Sequence, residues 1–379
     1  MLTEFFIVGP DISEADIQTK RGASPAAAAW MQALIRLLEG LGTVSGSIWY
    51  DARPSWPADV IAVPRHTEHV PSRSKELVSY LNLPLIKRAS TARSIELRLA
   101  TKSLQNLHVI VYGANSLPVS ALKRLNQKCR LLTVVIADTS SNHRVTERLQ
   151  EIEGCLSGGI LYLPASLRNI LTSQRSLFFP GIVTPRARKA KSTQDPKRKF
   201  VFVGGVDKYS GSHFLVDALK QCNLKDVDVV VAGRVADKKA ALEMQNLGVR
   251  VTGFLSEEEL AAECSSAFAF LNPRDPQLTA SATNFPSKLL LYLAYNAPIV
   301  STMTDGMPDF LVECLDCKSI NSPKEFARRI ELYTIWPLEM VEQLTDRISS
   351  VVSGRLSYAH GLVELERFFE ARAKGIDKS

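Results

Sequence analysis

"NFPSKLLLYLAYNAPIVST", Asn284 to Thr302, reads in order as a turn, a helix and a buried strand. Pro286 and Ser287 stand just before an apolar run, as residues that open helices do. Leu289 to Ala294 is apolar on every face, which predicts a helix enclosed in a core rather than laid on a surface. Lys288 then sits at the start of a buried helix, where unpaired backbone N–H groups already carry partial positive charge. Two readings stay open on this stretch alone. The lysine either points to water from a capped helix, or stands where the helix start receives a phosphate.

The same alternation of helix and strand runs outward in both directions. Around this stretch lie the apolar runs "KFVFVGG" (Lys199–Gly205), "VDVVVAG" (Val227–Gly233), "VRVTG" (Val249–Gly253), "AFAFLN" (Ala267–Asn272) and "APIVST" (Ala297–Thr302). An earlier set holds "EFFIVG" (Glu4–Gly9), "ADVIAV" (Ala58–Val63), "LHVIVY" (Leu107–Tyr112), "LLTVVIAD" (Leu131–Asp138) and "GILYLP" (Gly159–Pro164). Helical patterns separate the runs, among them Ser24–Gly42, with a serine cap, proline in the first turn and a glycine stop. Short strands alternating with helices mean parallel sheets covered on both faces. Two such sets predict an α/β chain of two doubly wound, Rossmann-like domains with a cleft between them. A length of 379 residues suits two domains.

Between the sets, "PRARKAKSTQDPKRK" (Pro185–Lys199) places seven basic residues against Asp195. Proline at each side and the lack of an apolar period predict a solvated linker. Its charge also suits an anionic membrane surface or nucleic acid. Nucleic-acid recognition would need interleaved aromatics or a known module, and neither is present. The expected boundaries are 1–184, a linker at 185–198, 199–345, and C-terminal helices at 346–379 packing back toward the N-terminal domain. No run approaches the roughly 20 apolar residues of a transmembrane helix. The start "MLTEFFIVGP" lacks a basic segment, so the expectation is a cytoplasmic protein with reduced cysteines. Cys314 and Cys317 form a lone C-x-x-C without the second pair that structural zinc requires.

Ligands of open parallel sheets sit outside the carboxyl ends of the strands. "VGGVDKYSG" (Val203–Gly211) follows a strand with three glycines and Lys208, and "LNPRDP" (Leu271–Pro276) follows another with Arg274. It is not the G-x-G-x-x-G of dinucleotide sites. With Lys288, three strand-end loops each bring a cation, a combination that suits a diphosphate. In the first half, Asp138 and His143 follow a strand and are the candidates to orient an acceptor hydroxyl or take its proton. A solvated loop histidine is the plainer alternative for His143.

The order "FVGG…LVDALK", "VVVAG", "VRVTGFLSEEELAAECSSAFAFLNPR" and "NFPSKLLLYLAYNAPIVST" resembles the retaining glycosyltransferases of family 4, which have the GT-B fold. The "NPR" and "FPSK" pieces are similar to the subgroup that builds bacterial surface polysaccharides. The resemblance implies that the C-terminal domain binds a UDP- or GDP-linked sugar and the N-terminal domain a glycan or lipid-linked acceptor. It further implies no metal or other cofactor, no nucleic acid, and at most peripheral contact with the inner face of an anionic membrane. By the same resemblance Gly204 and Gly205 face the donor diphosphate, and Gly253 and Phe254 lie near the base. Asn284, Phe285, Pro286, Ser287 and Lys288 line the phosphate end of the opening helix.

Several positions depart from the family. Gly205 and Ser210 stand where members place arginine and lysine, and Asn296 where they place glycine. Thr283 and Leu291 occupy the sites of the two family glutamates, the second of which usually meets the ribose. These departures keep a second expectation open, a non-catalytic glycosyltransferase-like partner or chaperone.

Overall fold

The computed structural model describes residues 3–11, 25–51, 62–63, 66–70, 73–84, 86–113, 117–138, 143–189, 197–207, 209–278 and 283–376. The chain divides into two compact units, one of Met1–Leu163, Leu167–Gly181 and Gly361–Ser379, the other of Pro164–Ser166 and Ile182–His360.

The N-terminal unit contains β1 (Thr3–Asp11), β2 (Gly42–Asp51), β3 (Ala62–Val63), β4 (His66–Val70), β5 (Arg73–Leu77), β6 (Tyr80–Leu81), β7 (Leu107–Tyr112), β8 (Leu131–Ile136), β9 (Gly159–Tyr162) and β10 (Ser176–Phe178). Eight of them form one sheet in the order β10-β9-β8-β7-β1-β2-β5-β4, parallel except where β4 runs against β5. The central strands β7 and β8 are buried at every residue, which is why they read as unbroken apolar runs. "ADVIAV" behaves differently. Its described part, β3, pairs only with β6, outside the main sheet.

The last helix, Tyr358–Ile376, returns to this unit from Gly361 onward, later than the boundary expected at 346. Phe369 closes on the buried His108 with ring centroids 4.4 Å apart, edge to face, and also touches Phe5. His108 Nε2 donates to Thr133 Oγ1 at 2.8 Å, whose hydroxyl in turn donates to the Gly158 carbonyl. Burial, with Arg130 adding to it, holds the His108 imidazole down to about 3, so it is a neutral core residue.

The C-terminal unit is a five-stranded parallel sheet of β11 (Arg198–Val203), β12 (Val227–Ala232), β13 (Arg250–Gly253), β14 (Ala269–Asn272) and β15 (Ile299–Ser301), ordered β13-β12-β11-β14-β15. Chain order therefore reverses beside β11, and the gap between β11 and β14 is the topological switch point.

The described first half of the basic crossover, Pro185 to Lys189, is exposed, and its backbone is nevertheless tied to the C-terminal unit. Arg186 N–H donates to the carbonyl of Ala294, the last residue of the Lys288–Ala294 helix, and Lys189 N–H to that of Ser265, the last of the Glu257–Ser265 helix. Arg188 adds hydrogen bonds to the Asn296 and Ala267 carbonyls. Helix C-termini carry unpaired carbonyls and partial negative charge; two backbone N–H groups cover one carbonyl of each helix, and the Arg188 guanidinium lies just beyond both ends. Residues 190–196 lie outside the described residues. Among the described residues no helix is long and apolar enough to cross a membrane.

Phe369 is buried against the N-terminal sheet, so Phe369→Ala is expected to destabilise that unit by about 3–5 kcal/mol. Denaturant unfolding followed by tryptophan fluorescence checks this, since Trp30 and Trp49 belong to the same unit.

Candidate functional site

The switch point is held open by one side chain. β11 and β14 pair only at Phe200–Ala269 and Val201–Phe270. At the end of β11 the Val203 N–H donates to the Tyr292 hydroxyl at 2.9 Å, and that hydroxyl donates to the Val203 carbonyl at 3.3 Å. The buried Tyr292 ring stacks flat on Phe270 at 4.6 Å. A side chain thus replaces the next ladder step, and the strands part toward their carboxyl ends.

Lys288 lies one turn before Tyr292, on the same helix face. Its ammonium stands 4.5 Å from the centroid of the Phe202 ring, as a cation–π contact requires. It also fills the space a β-carbon at Gly204 would take. Gly205 does the same for Asp207, whose Oδ2 lies 2.7 Å from the position of a β-carbon there. The glycine pair expected to admit a ligand therefore also admits this chain's own lysine and aspartate.

Asp207 organises the loop after β11. Its Oδ1 accepts from the N–H groups of Tyr209 and Ser210, at 2.7 and 2.8 Å. Ser210 donates to the Gly205 and Asp207 carbonyls, so the position of a customary lysine closes the loop. The loop ends at Gly211, whose φ of +87° and contact with the Pro273 carbonyl both exclude a side chain. That contact joins it to the segment after β14, which carries Arg274. Thr302 Oγ1 donates to the Arg274 carbonyl at 2.6 Å and steadies that segment.

Among the described residues Lys288 has no carboxylate within ion-pair distance. Burial first and the Arg274 guanidinium second, opposed by Asp207, hold its ammonium down from 10.5 to about 7. Lys288 and Arg274 are thus one electrostatic site at the carboxyl edge of the sheet.

The remaining candidates divide. Phe285 and Pro286 are buried, and the Asn284 carbonyl is braced against Gly306. Ser287 occupies the N-cap position but makes no side-chain cap, a correction to its reading as a capping serine. Its backbone is already helical, at φ −55° and ψ −23°, which turns the hydroxyl away from the N–H groups ahead. Gly253, at φ +75°, ends β13 at the far edge of the sheet, and Phe254 beside it is exposed. Lys208 lies outside the described residues. Asp138, exposed after β8, and His143, at the start of the helix His143–Cys155, belong to the N-terminal unit; the His143 side chain is outside the described residues. Asp138 helps burial push the Tyr112 hydroxyl up.

Among the described residues no three His, Cys, Asp or Glu side chains gather as metal ligands would. Burial pushes the Cys314 and Cys317 thiols up to about 11 and about 12. They are core residues.

These features define a doubly wound α/β protein with two cations at a strand-end switch point. Residues 197–333, the part that holds the site, match the family model described as glycosyl transferases group 1. A search of curated protein sequences returns no match. Among solved structures, HepE of Anabaena, in complex with UDP and glucose, superposes with a TM-score of 0.65 at 12% identity, covering 97% of this chain and 100% of that one. The sucrose-phosphate synthase of Thermosynechococcus elongatus gives 0.66 at 13% identity, over 97% and 98%. The E. coli trehalose-6-phosphate structure bound with UDP-2-fluoro glucose gives 0.68 at 9% identity, over 98% and 99%. The fold is GT-B, and the segment that holds the site resembles the glycosyl transferases of group 1.

The depressed Lys288 gives the site a defined pH signature. An anion docked on the ammonium raises its pKa, so binding takes up a proton above about pH 7. Inorganic diphosphate is expected to bind tightest below pH 7 and to weaken above it by up to about tenfold per pH unit, the limit for one linked proton. Calorimetry in buffers of different ionisation enthalpy measures the uptake. Lys288→Ala should abolish it, and Gly204→Ala, which takes the ammonium's place, should do the same in a folded protein.

Proposed function

We propose that the protein is a glycosyltransferase that passes a sugar, with retention of configuration, from a UDP- or GDP-linked donor to a glycan or glycolipid acceptor in polysaccharide or glycoconjugate synthesis. The observation that carries the reading is the Lys288 ammonium, held without a carboxylate partner at the switch point beside Arg274. Two cations there meet the charge of a leaving diphosphate, which is the largest electrostatic demand of sugar transfer from such donors. No divalent metal is assigned a role in this reading. The UDP-containing complexes of HepE and of the E. coli protein, with the same fold, support a nucleotide donor. Phe254, 42% exposed at the end of β13, offers a ring to the base. Asp138 and His143 are the proposed acceptor-side residues of the N-terminal unit.

A ligand at a hundred times its dissociation constant adds about 2.7 kcal/mol to the state that binds it. UDP or GDP is therefore expected to raise the unfolding midpoint with and without magnesium, and the cognate sugar nucleotide to be hydrolysed or transferred. No shift with any nucleoside diphosphate at millimolar concentration overturns the reading.

A second reading, a non-catalytic partner of another glycosyltransferase, is favoured by Thr283 and Leu291 in place of acids. Leu291 is only half-buried, so Leu291→Glu should fold. A donor site should then bind nucleoside diphosphate more tightly, by up to about 1.5–3 kcal/mol for hydrogen bonds to a charged acceptor. Unchanged failure to bind in both proteins supports the partner role.

A further inference from the structure

Among the described residues the two most exposed large apolar side chains are Ile335, at 76%, and Leu338, at 72%. They flank one corner of the C-terminal unit, where the helix Pro323–Ile335 ends and the helix Leu338–Arg355 begins. Leu332 and Met340, on either side, are 40% and 42% exposed. The inward faces of both helices are already filled, by Phe326, Ile330 and Tyr333 in the first and by Val341, Leu344 and Ile348 in the second. The outward residues are therefore not a spare part of the core. Single apolar residues scattered on a surface need no explanation, but four within the nine positions from Leu332 to Met340 do.

The corner is held in place. Arg198, the first residue of β11, donates to the carbonyls of Tyr333 and Trp336, the second at 2.8 Å. The Trp336 ring lies against that of Tyr333 with centroids 4.2 Å apart. The two helices do not pack along each other; the second runs against Asp309–Cys314, so its acids lead away from the first. Charge is divided accordingly. On the first helix Lys324 and Arg328 share one exposed stripe with Leu332 and Ile335, at spacings of four, four and three. Glu325 in that turn is engaged at the helix cap, where it accepts from the Asn321 N–H and the Ser322 hydroxyl. On the second helix Glu339, Glu342 and Asp346 are exposed, and from Ile330 to Asp346 four acids stand with no lysine or arginine. Among the described residues Lys324, Arg328, Glu339 and Glu342 form no ion pair.

We propose that this corner is a self-complementary surface on which a second copy of the chain docks about a two-fold axis. A basic end, an apolar centre and an acidic end, in that order, are what such a contact requires. An axis through Ile335 and Leu338 lays Lys324 and Arg328 of one copy against the acidic end of the other, and repeats the pairing on the far side. Apolar centre and charged rim are also the ordinary anatomy of a protein interface. An unrelated protein would have to present the same charge order reversed, whereas a second copy does so by symmetry. Four acids beside the leucines disfavour an anionic bilayer or nucleic acid. The contact does not depend on the donor proposed above.

The test is sedimentation equilibrium of the full chain across the micromolar range. The mass is expected to rise with concentration from that of one chain toward that of two. Ile335→Ser with Leu338→Ser should leave a monomer throughout. Lys324→Glu with Arg328→Glu, and separately Glu339→Lys with Glu342→Lys, should each weaken the dimer by about tenfold or more at low salt, because like charges then face each other. All four charge changes in one chain should restore it, since the pairing is then reversed at both ends. These side chains are exposed, so each variant should keep the wild-type circular dichroism spectrum. The proposal is overturned if the wild type stays monomeric, if the serine pair leaves the dimer intact, or if the fourfold variant associates no more tightly than the two charge variants it combines. The last result would move the association to another surface.

Discussion

A lysine ammonium in the space left by a glycine sets the geometry of the second unit's carboxyl edge. Lys288 and Tyr292 project from one face of a seven-residue helix toward β11. One reaches over Phe202 into the gap at Gly204, and the other takes the backbone groups of Val203. The strand can part from β14 there because the tyrosine hydroxyl supplies what the missing ladder step would have supplied. The parting in turn leaves the ammonium room at the switch point. Strand register, loop path and charge are therefore fixed by two side chains spaced i and i+4.

The fold was legible where burial on both faces produces unbroken apolar runs. Four strands of the C-terminal sheet lie within the runs marked in the sequence and β11 begins one residue before its run, while β7, β8 and β9 also lie within theirs. β2 and β5 escaped because "GTVSGSIWYD" and "RSKEL" interrupt their apolar residues with glycine, serine or charge. "ADVIAV" has the composition of a core strand without being placed as one in its described part. Composition marks a strand; its neighbours in the sheet come from topology.

Site residues divided along the same line. The strand-end positions of Lys288 and Arg274 were legible because apolar runs mark where the strands of a parallel sheet end. Asp207 was overlooked, although an aspartate two and three residues before Tyr209 and Ser210 is the signature of a side-chain-capped turn. Asn296 shows the opposite case. It stands where the family places glycine and takes φ +46°, a left-handed conformation that asparagine tolerates better than most residues. The crossover was read by its charge, which says nothing of its backbone, and it is the Arg186 and Lys189 backbone N–H groups that tie the exposed segment to two helix ends.

The energetics of Lys288 bear on what the second unit is for. An ammonium enclosed against a phenylalanine ring and repelled by an arginine binds its proton less readily in the folded chain than in the unfolded one. The sign is explicit: between about pH 7 and 10.5 the unfolded state holds more protons, so stability rises with pH, and below pH 7 the whole penalty is present. Methionine or leucine at this position would remove the penalty and keep the packing. Destabilising groups of this kind collect where a ligand later supplies the missing counter-charge. Leu291 does not carry that signature, since a leucine beside a ribose removes hydrogen bonds without adding strain. On the proposed reading, Leu291 is a loss of affinity for a sugar hydroxyl, while the ammonium that would meet phosphate is kept at a standing cost. That combination fits a donor site whose affinity rests on its diphosphate end more readily than a surface kept only for contact with another protein.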